Sequence, residues 1–222
     1  MTRAKRWTRF APVLVVVAAL SSCTPGRVAR DDASQPPHDQ ATAGARRTEP
    51  SFYELDLGLT DAAGRPRRLV EFRGRPLVVS MVYTSCQSVC PRVTADLRAL
   101  DRALPEALRS RTRFVLFSLD PKRDTPAALA AFSRRHDLDS TRWTLLVSNE
   151  EDMRTLAAVL GVRFRPDEGG EIAHSAVISV VDAEGVIRHR QIGLTAETAP
   201  LVTAVRDADR AAPTAGRQTT TH

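Results

Sequence analysis

Cysteine is scarce in this chain of 222 residues, and lysine scarcer: the cysteines are Cys23, Cys86 and Cys90, and the lysines Lys5 and Lys122. A structural zinc knuckle closes four ligands, usually from two short-spaced motifs, and this chain has one such pair, which makes a zinc scaffold the less attractive reading. Aromatic residues make up only 5% of the sequence. No basic stripe interleaves with them, and the almost exclusive use of arginine reads as coding bias. The formal charge of +6 is also misleading. Arg3, Lys5, Arg6 and Arg9 all lie in the first 22 residues, and without those four the remainder carries only +2. Nucleic acid is therefore not an expected partner.

No apolar run is long enough to cross a bilayer comfortably, which takes about 20 residues. Phe10 to Leu20 is apolar over eleven residues, follows a positive segment, and leads into Leu20-Ser21-Ser22-Cys23. That is the pattern of a lipoprotein signal peptide over residues 1–22, with Cys23 becoming the lipid-bearing N-terminus after cleavage. The expected localisation is extracytoplasmic, anchored to a bacterial membrane. Residues 23–50 then carry four prolines, mixed charge and no apolar periodicity. They read as a disordered tether, holding a domain on the order of 30 Å from the membrane.

The remaining length suits one domain, residues 51–210, followed by a disordered tail over 211–222. Phe52 to Leu59 and Arg67 to Val70, joined around Asp61 to Gly64, predict a short hairpin. Pro76 to Tyr83 and Arg113 to Leu119 predict buried strands, and Arg142 to Val147 a third central one. Helices are predicted over Pro91 to Leu104, from Asp124-Thr125-Pro126 to about His136, over Glu150 to Leu160 with Gly161 as the stop, and over Ala196 to Asp209. Ala176 to Val181 and Val186 to Gln191 form a hairpin turning on Asp182 to Gly185. Strands separated by helices call for a parallel centre, and the last hairpin adds antiparallel strands at one side. The order is that of an α/β, thioredoxin-like fold with a central mixed sheet flanked by helices.

Cys86 and Cys90 are spaced C-x-x-x-C where a buried strand gives way to a helix, with Pro91 at a probable first helical position. Functional groups gather beyond the carboxyl ends of such strands, and a helix start favours thiolate over thiol. If the helix ran through both cysteines, their sulfurs would lie on one face, about 40° apart. In an exported protein the pair is a bridge, a redox couple or a set of metal ligands. Two thiolates select Cu(I), and an added imidazole also admits Cu(II). Of five histidines, His38 and His222 fall in predicted disorder, His136 ends a helix, and His189 lies on a strand between arginines. His174, just before the strand at Ala176, is the remaining candidate. From the residues alone, a satisfied or exposed loop histidine explains it better.

The segments VYTSCQSVCP, FSLDPKRDTP and AHSAVISVVDAEG, in that order and at these separations, resemble the Sco/SenC family of copper proteins over roughly Phe52 to Arg210. The resemblance implies copper held by Cys86, Cys90 and His174. It further implies a role in assembling the dinuclear copper centre of cytochrome c oxidase, with a copper-receiving oxidase subunit or another copper protein as partner. Gln87 departs from the family, which usually has proline after the first cysteine. Asp120 and Asp124 are candidates to orient the site from behind its ligands, although turn formation and helix capping explain them equally well.

Two further readings use the same residues. A thiol-disulfide oxidoreductase would use Cys86 and Cys90 as its catalytic pair. Against it stand the C-x-x-x-C spacing and the absence of proline between Glu171 and Val181. A thiol peroxidase leaves His174 without a reason.

Overall fold

The computed structural model describes residues 51–167, 171–194 and 197–211. The expected signal peptide, Cys23, the tether and all of the tail beyond Ala211 lie outside the described residues, as do His38 and His222.

Three segments are predominantly apolar, and all three become central strands. They are β3 (Leu77–Val82), β4 (Arg113–Ser118) and β5 (Trp143–Val147). Every residue of β3 is buried, as expected for a strand covered on both faces. β3 runs parallel to β4, and β4 to β5. The helices α1 (Val89–Ala103) and α3 (Pro126–Arg135) lie within these crossovers, with the one-turn helix α2 (Glu106–Arg109) after α1. Phe114 stacks on Trp143 across β4 and β5, ring centroids 4.3 Å apart. Thr125 caps α3 by accepting the Ala128 N–H, and Pro126 opens the helix.

Antiparallel strands complete the sheet on both sides. β1 (Leu59–Asp61) and β2 (Pro66–Arg67) add beyond β5, while β8 (Val177–Val181) and β9 (Ile187–Ile192) add beyond β3. The order is β2-β1-β5-β4-β3-β8-β9. Burial alternates along β9, the signature of an edge strand with one covered face. The helices α4 (Glu150–Leu160), ended by left-handed Gly161, and α5 (Ala199–Arg210) complete the domain. α5 packs on β8, β9 and α1. This is a thioredoxin-like fold with a mixed seven-stranded sheet.

The first hairpin is shorter than its sequence suggests. Phe52–Glu54 and Leu69–Phe72 are 3-10 turns flanking β1 and β2. Consecutive Phe52 and Tyr53 are both buried, which an alternating strand with one covered face cannot provide. The turn at Asp182 to Gly185 fits against them. Gly185, at φ +92°, leaves no room for a Cβ, which would sit 2.1 Å from Ser51 Oγ.

The segment before Ala176, expected as a loop at His174, contains strands. Phe164–Pro166 and Ile172–His174 are strands β6 and β7, an antiparallel pair separate from the main sheet. His174 therefore ends a strand.

Candidate metal centre

β3 delivers the chain to Tyr83, and the following turn carries Cys86 before α1 begins at Val89. Cys90 lies in the first turn of that helix, so the two cysteines are not brought together by a shared helical repeat, as the spacing had suggested. Ser88, the residue at the helix cap, makes no side-chain capping bond. Instead the Cys90 N–H donates to Cys86 Sγ at 3.3 Å. The sulfur takes the place of a capping oxygen, a position that favours negative charge. Both thiols are free.

His174 comes from the opposite side, with Nε2 3.5 Å from Cys90 Sγ. Its Nδ1 lies 3.2 Å from the Ser175 carbonyl. A carbonyl only accepts, so Nδ1 carries the proton and Nε2 turns a lone pair toward the sulfurs. One donor atom each from Cys86, Cys90 and His174 lies within 4.8 Å of the others, the one such group of three among the described residues.

The electrostatics of the pair are unequal. Burial pushes the Cys86 thiol up, but the hydrogen bonds from Cys90, and then from the Ser88 backbone, outweigh it and hold Cys86 below the usual thiol range. Burial drives the Cys90 thiol far above that range, and neighbouring Cys86 adds to the effect. Cys86 lines a cavity of 320 Å³ with Tyr83, Asp167, Glu171 and His174, whereas Cys90 is fully covered. Burial also lowers the basicity of His174, against the Ser175 contact, which keeps the ring neutral and able to donate a lone pair near neutral pH.

The carboxylates of the second motif separate into different roles. Asp120 shapes its turn and pairs with Arg123. Asp124 is buried and accepts the Thr84 N–H at 3.1 Å, the Thr84 hydroxyl at 2.6 Å and the Ser118 hydroxyl at 2.6 Å. It thus ties the cysteine turn to the end of β4, while the cap of α3 is left to Thr125. Gln87 is exposed. His136 ends α3 against the Phe132 ring, and His189 lies on β9, so neither joins the centre.

Tyr83 and Glu171 escaped the sequence reading. The Tyr83 phenol donates to Glu171 Oε2 at 2.8 Å and accepts the Ile172 N–H at 3.3 Å. Burial and the Glu171 carboxylate keep that phenol protonated. A tyrosine closing an otherwise apolar strand was the available signal, because a buried hydroxyl needs a partner.

The fold and this cluster define a thioredoxin-like domain with a centre of two thiols and one imidazole. The SCO1/SenC family profile matches residues 45–207, and the chain belongs to that family. A protein of Stutzerimonas stutzeri named for copper binding is 28% identical over 154 residues, covering 68% of this chain and 73% of the relative. The SCO1/SenC family lipoprotein of Bacillus anthracis superposes with a TM-score of 0.62 at 25% identity, over 72% of this chain and 95% of the other. Copper-bound yeast Sco1 shares the fold, with a TM-score of 0.60 at 17% identity over 75% of this chain and 93% of the other.

Proposed function

We propose that this chain is an exported, membrane-tethered copper-delivery protein. Cys86 and Cys90, as thiolates, and Nε2 of His174 hold one copper ion and release it to the copper-receiving subunit of cytochrome c oxidase. The observation that carries the reading is the convergence of two soft sulfurs and a correctly oriented imidazole lone pair within 4.8 Å. That donor set suits Cu(I) through its thiolates and Cu(II) through its added nitrogen. The copper-binding description of the Stutzerimonas relative agrees with it. The oxidase as client follows from the family resemblance. The tether rests on the leader ending at Cys23 and on the likeness to a lipoprotein of the same family.

Delivery requires no covalent chemistry on the client. Each incoming ligand displaces one of the three donors, and a copper held by three protein atoms leaves a coordination position open to the first of them. The test is copper titration of the reduced full-length chain against the Cys86→Ser/Cys90→Ser double variant. One tightly held copper per chain, lost in the variant, is the expected result. Equal binding by both proteins would defeat the reading.

The inequality of the two thiols supports a second role for the same pair. The Cys86 thiolate attacks a client disulfide and releases one client thiolate. Cys90 then attacks the mixed disulfide, leaving a Cys86–Cys90 bridge and a fully reduced client. The client gains the two electrons that this dithiol loses. Stoichiometric reduction of an oxidised copper-site peptide by the metal-free chain would establish it, and no reduction would remove it.

A further inference from the structure

Among the described residues, β6 and β7 pair only with each other. A ribbon of three residues a side is too short to hold its own position, so the placement of His174 depends on what ties this hairpin down. The Ser175 N–H donates to the Arg163 carbonyl at 2.8 Å, and the Arg163 N–H to Ser175 Oγ at 2.9 Å, but both bonds stay within the hairpin. Ile172 anchors it to the apolar core. Among the described residues, its other polar ties to the rest of the domain, besides the contact of His174 Nε2 with Cys90 Sγ, come from Tyr83, which follows the cysteine-bearing strand.

Tyr83 reaches both halves of the site. Its N–H points to Cys90 Sγ at 3.5 Å. Its hydroxyl donates to Glu171 and accepts from Ile172, on either side of the start of β7. Its ring meets the His174 imidazole edge to face, with centroids 5.9 Å apart. The donor set of the copper site uses neither the hydroxyl nor the Glu171 carboxylate, and phenylalanine would retain the ring and the N–H. The part played by the hydroxyl is therefore separable from packing.

We propose that Tyr83 and Glu171 are positioning residues, whose phenol-to-carboxylate hydrogen bond holds the β6–β7 hairpin so that Nε2 of His174 faces the two sulfurs. The functional consequence rests on the copper reading, while the positioning itself does not.

The experiment compares the full-length parent with Tyr83→Phe, Glu171→Ala and Glu171→Gln. In the reduced, metal-free proteins, amide hydrogen exchange at residues 172–175 should accelerate on the order of tenfold in Glu171→Ala, the loss of one charge-assisted hydrogen bond, and by at least as much in Tyr83→Phe, which also removes the acceptor of the Ile172 N–H. Exchange in β3 and β4 should not change. Glu171→Gln should stay near the parent, because its amide oxygen still accepts from the phenol. After loading with Cu(II), the imidazole nitrogen coupling in electron spin resonance should weaken in the first two variants and persist in the third, with one copper bound throughout. Unchanged hairpin exchange in Tyr83→Phe and Glu171→Ala would overturn the proposal, as would accelerated exchange with the nitrogen coupling intact. If the double cysteine variant binds copper like the parent, the copper reading falls, while accelerated hairpin exchange would still support the positioning role.

Discussion

The cysteines and the histidine are held by two different kinds of structure. Cys90 sits on α1, and Cys86 on the turn between α1 and β3, a strand buried along its full length and paired on both sides. Asp124 fixes that turn through three hydrogen bonds to Thr84 and Ser118. His174 sits on a two-stranded ribbon outside the main sheet, braced by Ile172 and by the Tyr83 hydroxyl. One half of the centre moves only if the core moves, whereas the other can shift at the cost of a few local contacts. Under the proposed delivery role, the ligand on the weaker support would be the first that a client displaces.

The largest effects should come from deleting ligands on either side of this division. Cys90→Ser should weaken Cu(I) binding on the order of a thousandfold or more, because it removes a soft ligand from the fixed half. His174→Ala should weaken copper binding on the order of a hundredfold, at the top of the range typical of residues that only orient a ligand. It should leave the melting temperature of the metal-free chain within about 2 °C of the parent, since the imidazole supports no part of the main sheet. Competition against a chromophoric copper chelator measures the affinities, and thermal unfolding the stability. A marked loss of stability in His174→Ala would show that the hairpin belongs to the rigid half and would break the comparison.

A smaller effect separates the two thiols within the rigid half. Cys86 is held below the ordinary thiol range by the hydrogen bonds it accepts and borders the cavity, while Cys90 is pushed up by burial and fully covered. Near neutral pH a larger fraction of Cys86 is thiolate, the reactive form. In the reduced, metal-free chain, alkylation at Cys86 should be at least about tenfold faster than at Cys90, measured by peptide mass spectrometry after a timed quench. Equal rates would mean that the helix start does not distinguish the two sulfurs, and would remove the support for the reductase role.

The rigid half was legible in the sequence for a physical reason. A strand buried on both faces is largely apolar along its length, so PLVVSMVY and RFVLFSL announce themselves, and the cysteines follow the first closely. The histidine half has no such mark. FRP and IAH are too short for alternation to register, and Pro166 argues against a strand. Residue patterning left His174 only a candidate, and it was the resemblance of AHSAVISVVD to the family that singled it out. The brace was hidden for another reason: Tyr83 and Glu171 are 88 positions apart, and no local period connects them. Asp124 was visible as a residue, but its role was not, since a carboxylate before a helix looks like a cap until the structure shows Thr125 in that place.

The hairpin at the opposite edge offers the smallest and sharpest contrast. β1 and β2 are as short as β6 and β7, yet they join the main sheet through β5 and turn around a buried carboxylate. Asp61 accepts the N–H groups of Ala63 at 2.9 Å and Arg65 at 3.0 Å, and pairs with the guanidinium groups of Arg65 and Arg67. Burial pushes its pKa up, but these hydrogen bonds outweigh burial and hold it below the usual carboxylate value. A folded-state pKa below the unfolded one contributes stability that is present above the unfolded value, about 3.9, and is lost as pH falls through the folded value. Urea unfolding of the parent should therefore show stability falling as pH drops below about 4, with Asp61 contributing to that slope. Asp61→Asn should be less stable at pH 7 and should show a shallower acid limb, because asparagine keeps the shape and loses the charge that the arginines and N–H groups bind. Identical acid limbs in the two proteins would mean that β1 and β2 are held by the sheet alone, and that a short hairpin in this fold needs a polar anchor only where, as at His174, it stands outside the sheet.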